Sequence, residues 1–263
     1  GQLPATDLED SRRWLADEFP SGDTNMNQEL LPLLVFLQVG DITDRYVQYL
    51  KSKAPAPIRL HAALHLRFLE TGWKEEQKWE LIESLEKIAR SESSGNLPVY
   101  ARNAVRDFAR NLTDEESVYV LERAVKWPNA AVGAIYKLPE QLSENQLSSL
   151  KEIDRQLSEK DEESAKPLQV GIVALLARSG DDSAHEYLRE IWRRDPDRRQ
   201  AAAMGLAQRP DGENWNYLVR SLPFLEGNAS LDVLDKLKLV EQARLDRLGA
   251  GIAARFWHLQ LPG

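Results

Sequence analysis

Residues 181–222, DDSAHEYLREIWRRDPDRRQAAAMGLAQRPDGENWNYLVRSL, read as helix, tight turn, helix, tight turn, helix. Ala184, Tyr187, Leu188, Ile191 and Trp192 recur at i, i+3, i+4, i+7 and i+8, which is one face of an α-helix. Asp181 and Asp182 stand where a side chain can accept the free amides of a first turn. Arg193 and Arg194 stand where positive charge suits the carbonyl end of the helix. Asp195-Pro196 then opens a second helix, because proline's fixed φ suits a first helical position and its missing N–H is not needed there. Ala201, Ala202, Ala203, Gly205 and Ala207 keep that helix thin, so that a neighbour can approach closely. Arg209–Gly212 ends it, and Trp215, Leu218, Val219 and Leu222 predict the buried face of a third. Such a unit has more apolar face than one hairpin can cover, so a chain built on it stacks its hairpins.

The middle helix carries an order of residues that recurs: proline, arginine, a small residue, a large apolar one. It stands as Pro196, Arg199, Ala202, Leu206; as Pro57, Arg59, Ala62, Leu66; and as Pro98, Arg102, Ala104, Phe108. Two copies lack the arginine: Pro128, Ala134, Leu138 and Pro167, Gly171, Leu175. The small residues lie roughly 30 to 42 positions apart, the period of a helical repeat. This order resembles the inner helix of the HEAT-repeat family. The resemblance implies an all-α fold, an α-α superhelix in which a HEAT-like solenoid of stacked helical hairpins spans residues 1–263 as a single domain. The polar stretch 91–97 is the place for an internal hinge. Neither terminus carries a clear polar capping repeat, so the expectation is a piece of a longer chain.

Along the chain the periodicity predicts helices over 27–38, 43–52, 58–70, 75–90 and 98–111, and again near 231–241 and 243–259. Thr6-x-x-Glu9, Thr113-x-x-Glu116 and Ser143-x-x-Gln146 are capping-box patterns that open helices. Pro32 must lie in a first turn or kink its helix. Gly72 is placed to end helix 58–70, and 158–163 and 226–230 read as loops. Leu8, Trp14, Leu15 and Phe19 are expected inside. Trp127, before Pro128, and Trp73, after Gly72, are expected at turns, partly exposed.

A second resemblance rests on Phe19-Pro20-Ser21-Gly22, Asn27-x-Glu29-Leu30, Leu33-Leu34, the helix end Leu66–Leu69 and Thr71-Gly72-Trp73. Over residues 19–90 the chain is similar to the HEAT-like region of large secreted bacterial proteins that also carry a propeller-like dehydrogenase-type domain and a c-type cytochrome domain. That implies a repeat module with an extracytoplasmic home, periplasmic or secreted. The cytochrome motif itself is missing, so redox chemistry is not implied for this segment.

Composition narrows the function. The net charge is −8 and the isoelectric point near 5.2, which argues against nucleic acid as the main partner, since such binding rests on lysine and arginine neutralising phosphates. Without cysteine there is no disulfide, no thiolate zinc site and no CxxCH haem attachment. No apolar run is long enough to span a bilayer, so membrane insertion is not expected. No phosphate-binding glycine loop, no GxSxG and no convincing catalytic set appears. His61 and His65, at i, i+4, could hold a metal but lack a recognisable third ligand. Asp181, Asp182 and His185 read more simply as a helix cap with a histidine one turn in.

The reading is a non-enzymatic scaffold without cofactor, docking a protein or a flanking domain of the same chain on the face formed by its inner helices. Arg59, Arg102, Arg106, Arg110, Arg198 and Arg199 are the candidate partner-binding residues, the middle three forming a stripe at i, i+4, i+8 that could hold a carboxylate or phosphate. The alternatives are a HEAT-like enzyme of the DNA glycosylase type and a haem- or metal-linked module of a cytochrome-containing protein.

Overall fold

The computed structural model describes residues 5–91, 96–160 and 162–241, with side chains from Glu9 onward. Among the described residues the secondary structure is helical, with no strand. The chain forms two compact units, Gly1–Pro139 with Gln156–Leu168, and Glu140–Arg155 with Gln169–Gly263.

The first unit contains α1 (Ala5–Glu18), α2 (Thr24–Phe36), α3 (Thr43–Lys51), α4 (Ala56–Leu66), α5 (Glu75–Ala89), α6 (Leu97–Arg110), α7 (Asp114–Leu121) and α8 (Pro128–Ala134), the last continued by a 3-10 turn over Ile135–Lys137. Neighbours pack on one another: α4 against α2, α3, α5 and α6, and α6 against α4, α5 and α8. Leu81, Ile82 and Leu85 on α5 are fully buried, each contributing on the order of 1.5–3 kcal/mol by leaving water. Pro57, Pro98 and Pro128 fall in first turns, where the absent N–H costs nothing. Pro32 does not: α2 runs through it, so the Gln28 carbonyl loses its usual helical donor.

The capping box of α7 closes as read, the Thr113 amide donating to Glu116 Oε2 at 3.0 Å and the Glu116 amide to Thr113 Oγ1 at 3.2 Å. Gly72 ends no helix, since α4 stops at Leu66. It sits at φ +80°, where an added Cβ would run into the backbone of Gly40, and a Cβ on Gly40 would lie 2.8 Å from the Thr71 carbonyl. Two turns thus touch through glycines that leave no room for a side chain. Beside them Gln38 takes a left-handed φ of 54°. Its side chain donates to the Val35 and Phe68 carbonyls and accepts from the Glu70 amide, tying the end of α2 to the turn after α4. Trp14, expected inside, is 64 % exposed; Phe19 is buried.

The second unit draws on α9 (Glu144–Lys160) and α10 (Lys166–Ser179), which also contribute residues to the first unit, and on α11 (Asp182–Arg194), α12 (Arg199–Leu206) and α13 (Asn214–Ser221). A further helical stretch covers 228–241, so the expected loop at 226–230 is shorter. α9 likewise takes in residues 158–160 of the acidic segment read as a loop at 158–163. Asp181 caps α11 through the Ser183 and Ala184 amides, and Asp195 caps the 3-10 turn Pro196–Arg198 that leads into α12. The α11 face expected at the core is there, with Trp192 half-buried; on α13, Leu218 is inside but Val219 is exposed. α12 packs on α11 and α13. Residues 92–95 of the expected hinge, the Thr6 side chain, and the helix expected at 243–259 lie outside the described residues.

Candidate partner-binding surface

The arginine stripe divides when its surroundings are followed. Arg102 and Arg106 line a groove of 860 Å³ in the first unit, bounded by the end of α5, the first half of α6 and residues 162–167. Arg90, Lys166, Glu162 and Glu163 share it. Both acids are already engaged: Glu162 lies 3.6 Å from the Arg90 guanidinium and Glu163 2.6 Å from Lys166 Nζ. Arg106 donates to Asn129 Oδ1 at 3.3 Å, while its buried Nε finds no acceptor. Burial, and then the neighbouring Arg102, push the Arg106 pKa down; Glu86 and Tyr136 oppose this and Arg110 adds to it. Burial is the larger cause, and the like charges at Arg102 and Arg110 on the same helix face add to it.

Behind Arg106 stands a carboxylate that sequence reading missed. Glu86 on α5 is 1 % exposed and accepts from Asn129 Nδ2 at 3.0 Å and from the Ala130 amide at 2.8 Å. Burial raises its pKa, against the pull of those two bonds. Asn129 therefore bridges Glu86 and Arg106, which holds the guanidinium end of the arginine.

Arg110 does not line the groove. It is exposed at the end of α6, 3.7 Å from Asp107 and over the Tyr136 ring at 4.6 Å. Arg59 belongs to a separate cleft of 780 Å³ that also holds Trp79, Glu80, Glu83, Tyr119 and Arg123, and its buried Nε has no acceptor. Trp79 and Tyr119 stack there with centroids 4.5 Å apart, and Arg123 lies 3.4 Å above the Tyr119 ring. Trp127, expected as a partly exposed anchor, is buried and donates to Glu83 Oε2 at 2.8 Å. Trp79 of α5 lies beside it, the ring centroids 6.1 Å apart. Trp73 is half-buried, its Nε1 bonded to the Leu69 carbonyl at 2.7 Å.

In the second unit Arg198 is corrected outright. It is 7 % exposed, with Nη1 2.5 Å from Asp154 Oδ1 and Nε 2.6 Å from Asp195 Oδ2. Burial works against its charge, but Asp154 and then Asp195 outweigh it and the pKa is raised. It holds the unit together and offers nothing to a partner. Asp154, fully buried, also accepts from Tyr187 Oη at 2.8 Å. Arg199 is half-buried, its Nε donating to the Trp192 carbonyl at 3.0 Å and its guanidinium over the Trp192 ring.

The histidines are brought into two different settings. The His61 and His65 rings lie 4.7 Å apart on α4, and burial, with His61 and Arg67, lowers the His65 pKa. His185 is 2 % exposed; burial first, and then Arg209, lower its pKa. Asn214 Oδ1 accepts from Arg189 at 2.7 Å, so its Nδ2 must face His185 Nδ1 as the donor at 3.0 Å. The neutral ring therefore carries its proton on Nε2. Among the described residues no group of three or more His, Asp or Glu side chains comes together in a metal-holding arrangement, and no helix is long and apolar enough to cross a membrane.

No protein-family model matches this chain, and no curated protein does. Among solved structures it is similar to the crystal structure of an engineered protein, 16% identical, with 88% of this chain and 97% of that one covered and a TM-score of 0.36. A likeness of that size says nothing of this chain's activity.

Proposed function

We propose that this chain is a non-enzymatic docking scaffold, a HEAT-like stack of helical hairpins that holds an acidic segment of a partner protein or flanking domain on the arginines of α6. The observation that carries the reading is the groove of Arg102 and Arg106. Its guanidiniums outnumber its free carboxylates, and one buried donor there is unsatisfied. An arginine presents a planar fork of donors that an incoming carboxylate can meet in bidentate fashion. Prolines in the first turns of the alternate helices α4, α6 and α8, small residues where those helices meet, and the packing of α4 on both α2 and α6 support the repeat reading. The resemblance over 19–90 supports an extracytoplasmic home.

The test is fluorescence polarisation with a labelled Glu-Ser repeat peptide against the whole chain, Arg102→Glu and Arg102→Glu/Arg106→Glu, with melts to check folding. Binding weakened by each reversal and by added salt is the expected result, since exposed charges are screened over about 8 Å at physiological ionic strength. Affinity indifferent to both overturns the reading.

A further inference from the structure

The exposed end of α6 carries a line of side chains that the groove does not use. Arg67, just after α4, lies over the Phe68 ring at 4.6 Å and 3.1 Å from Asp107 Oδ2. Asp107 is 3.7 Å from Arg110, which lies over the Tyr136 ring at 4.6 Å. Phe68, Arg67, Asp107, Arg110 and Tyr136 thus form a continuous ladder across the ends of α4 and α6 and the turn after α8. Phe68 is 57 % exposed and Tyr136 66 %. Single exposed apolar residues are ordinary on a protein surface. Here the two aromatic rings are held in place by guanidiniums, and two arginines share one carboxylate, which leaves one positive charge over. The ladder is continuous with the groove through α6, because Tyr136 and Arg110 are both near enough to act on Arg106.

We propose that the segment docked on this scaffold combines carboxylates with large apolar side chains, the acids meeting the α6 arginines and the apolar residues packing on Phe68 and Tyr136. The inference rests on the docking reading above and names the chemistry of its partner. Tyrosine and arginine are enriched where binding energy concentrates, and rings fixed in advance lose little freedom on binding. The charge left by the pair Arg67 and Arg110 around Asp107 selects an acid rather than a base beside the apolar anchor.

Three labelled peptides of equal length distinguish the outcomes by fluorescence polarisation on the whole chain: an Asp-Phe-Asp-Ser repeat, an Asp-Ser repeat and a Lys-Phe-Lys-Ser repeat. The first is expected to bind about tenfold tighter than the second, with the third weakest. Phe68→Ala/Tyr136→Ala should erase the advantage of the first and leave the second unchanged; both side chains are exposed, so folding is spared. Asp107→Asn should tighten both acidic peptides severalfold by freeing two arginines. Equal affinity for the two acidic peptides, weakened in common by Arg102→Glu, overturns the ladder and leaves the docking reading standing. No binding of either overturns both.

Discussion

Asp154→Ala removes the buried end of an ion pair in which both partners are enclosed. Asp154 is fully buried and the Arg198 side chain is 8 % exposed, with 2.5 Å between them. Deleting the acid takes the closest carboxylate from the Arg198 guanidinium, where Asp195 is 26 % exposed, and leaves Tyr187 Oη the Lys151 carbonyl at 3.2 Å in place of a charged acceptor. Arg194, 3.8 Å away and 36 % exposed, adds little because solvent screens it. Breaking one side of a buried pair costs about 3–5 kcal/mol. With a urea dependence of about 2 kcal/mol per molar, the midpoint should fall by roughly 2 M. The assay is urea unfolding followed by fluorescence, where Trp192, bonded to Ser221 Oγ, reports from the same unit. The cost should persist in high salt, since the pair is shut away from counter-ions. Asp154→Ala/Arg198→Ala should cost less than the sum of its single changes, because each single change strands the other charge. A loss under about 1 kcal/mol for Asp154→Ala, or simple additivity in the double variant, would refute the coupling.

Two further changes probe the first unit. Gly72→Ala should cost about 2 kcal/mol or more, from the left-handed backbone and from contact with Gly40, and a thermal melt unchanged from wild type would contradict this. Glu86→Gln tests a carboxyl whose pKa is raised by burial in the folded state. The native form keeps its proton to higher pH than the unfolded chain, so the stability this proton supplies is complete below the unfolded value and is lost as pH rises through the folded one. The midpoint of Glu86→Gln relative to wild type should therefore climb from about pH 4.5 upward, and a wild type that gains on the variant over that range would show the sign to be wrong.

What could be read from the sequence was local. Prolines 57, 98, 128, 167 and 196 announced first turns because the ring acts on its own backbone. The Thr113 and Ser143 boxes close within three residues, and the α11 face follows from periodicity alone. What escaped depends on partners far along the chain. Nothing in the sequence around Asp154 marks it as buried, because its cation stands 44 residues away. Arg198 looked like part of an exposed ribbon for the same reason. Glu86 and Trp127 were hidden because the wall each meets is made by another helix. The arginines of α6 were visible as a stripe, but only packing separates Arg102 and Arg106, beside the groove, from Arg110, on the ladder.

The most direct measurement of the docking claim is a charge swap. Wild type and Arg102→Glu/Arg106→Glu, both shown folded by circular dichroism, are titrated with the Asp-Phe-Asp-Ser and Lys-Phe-Lys-Ser peptides at low and physiological salt. Docking on α6 requires that wild type prefer the acidic peptide, that the double reversal invert the preference, and that both preferences shrink as salt rises. Retention of the acidic preference by the reversed variant would contradict it and place the contact elsewhere on the chain.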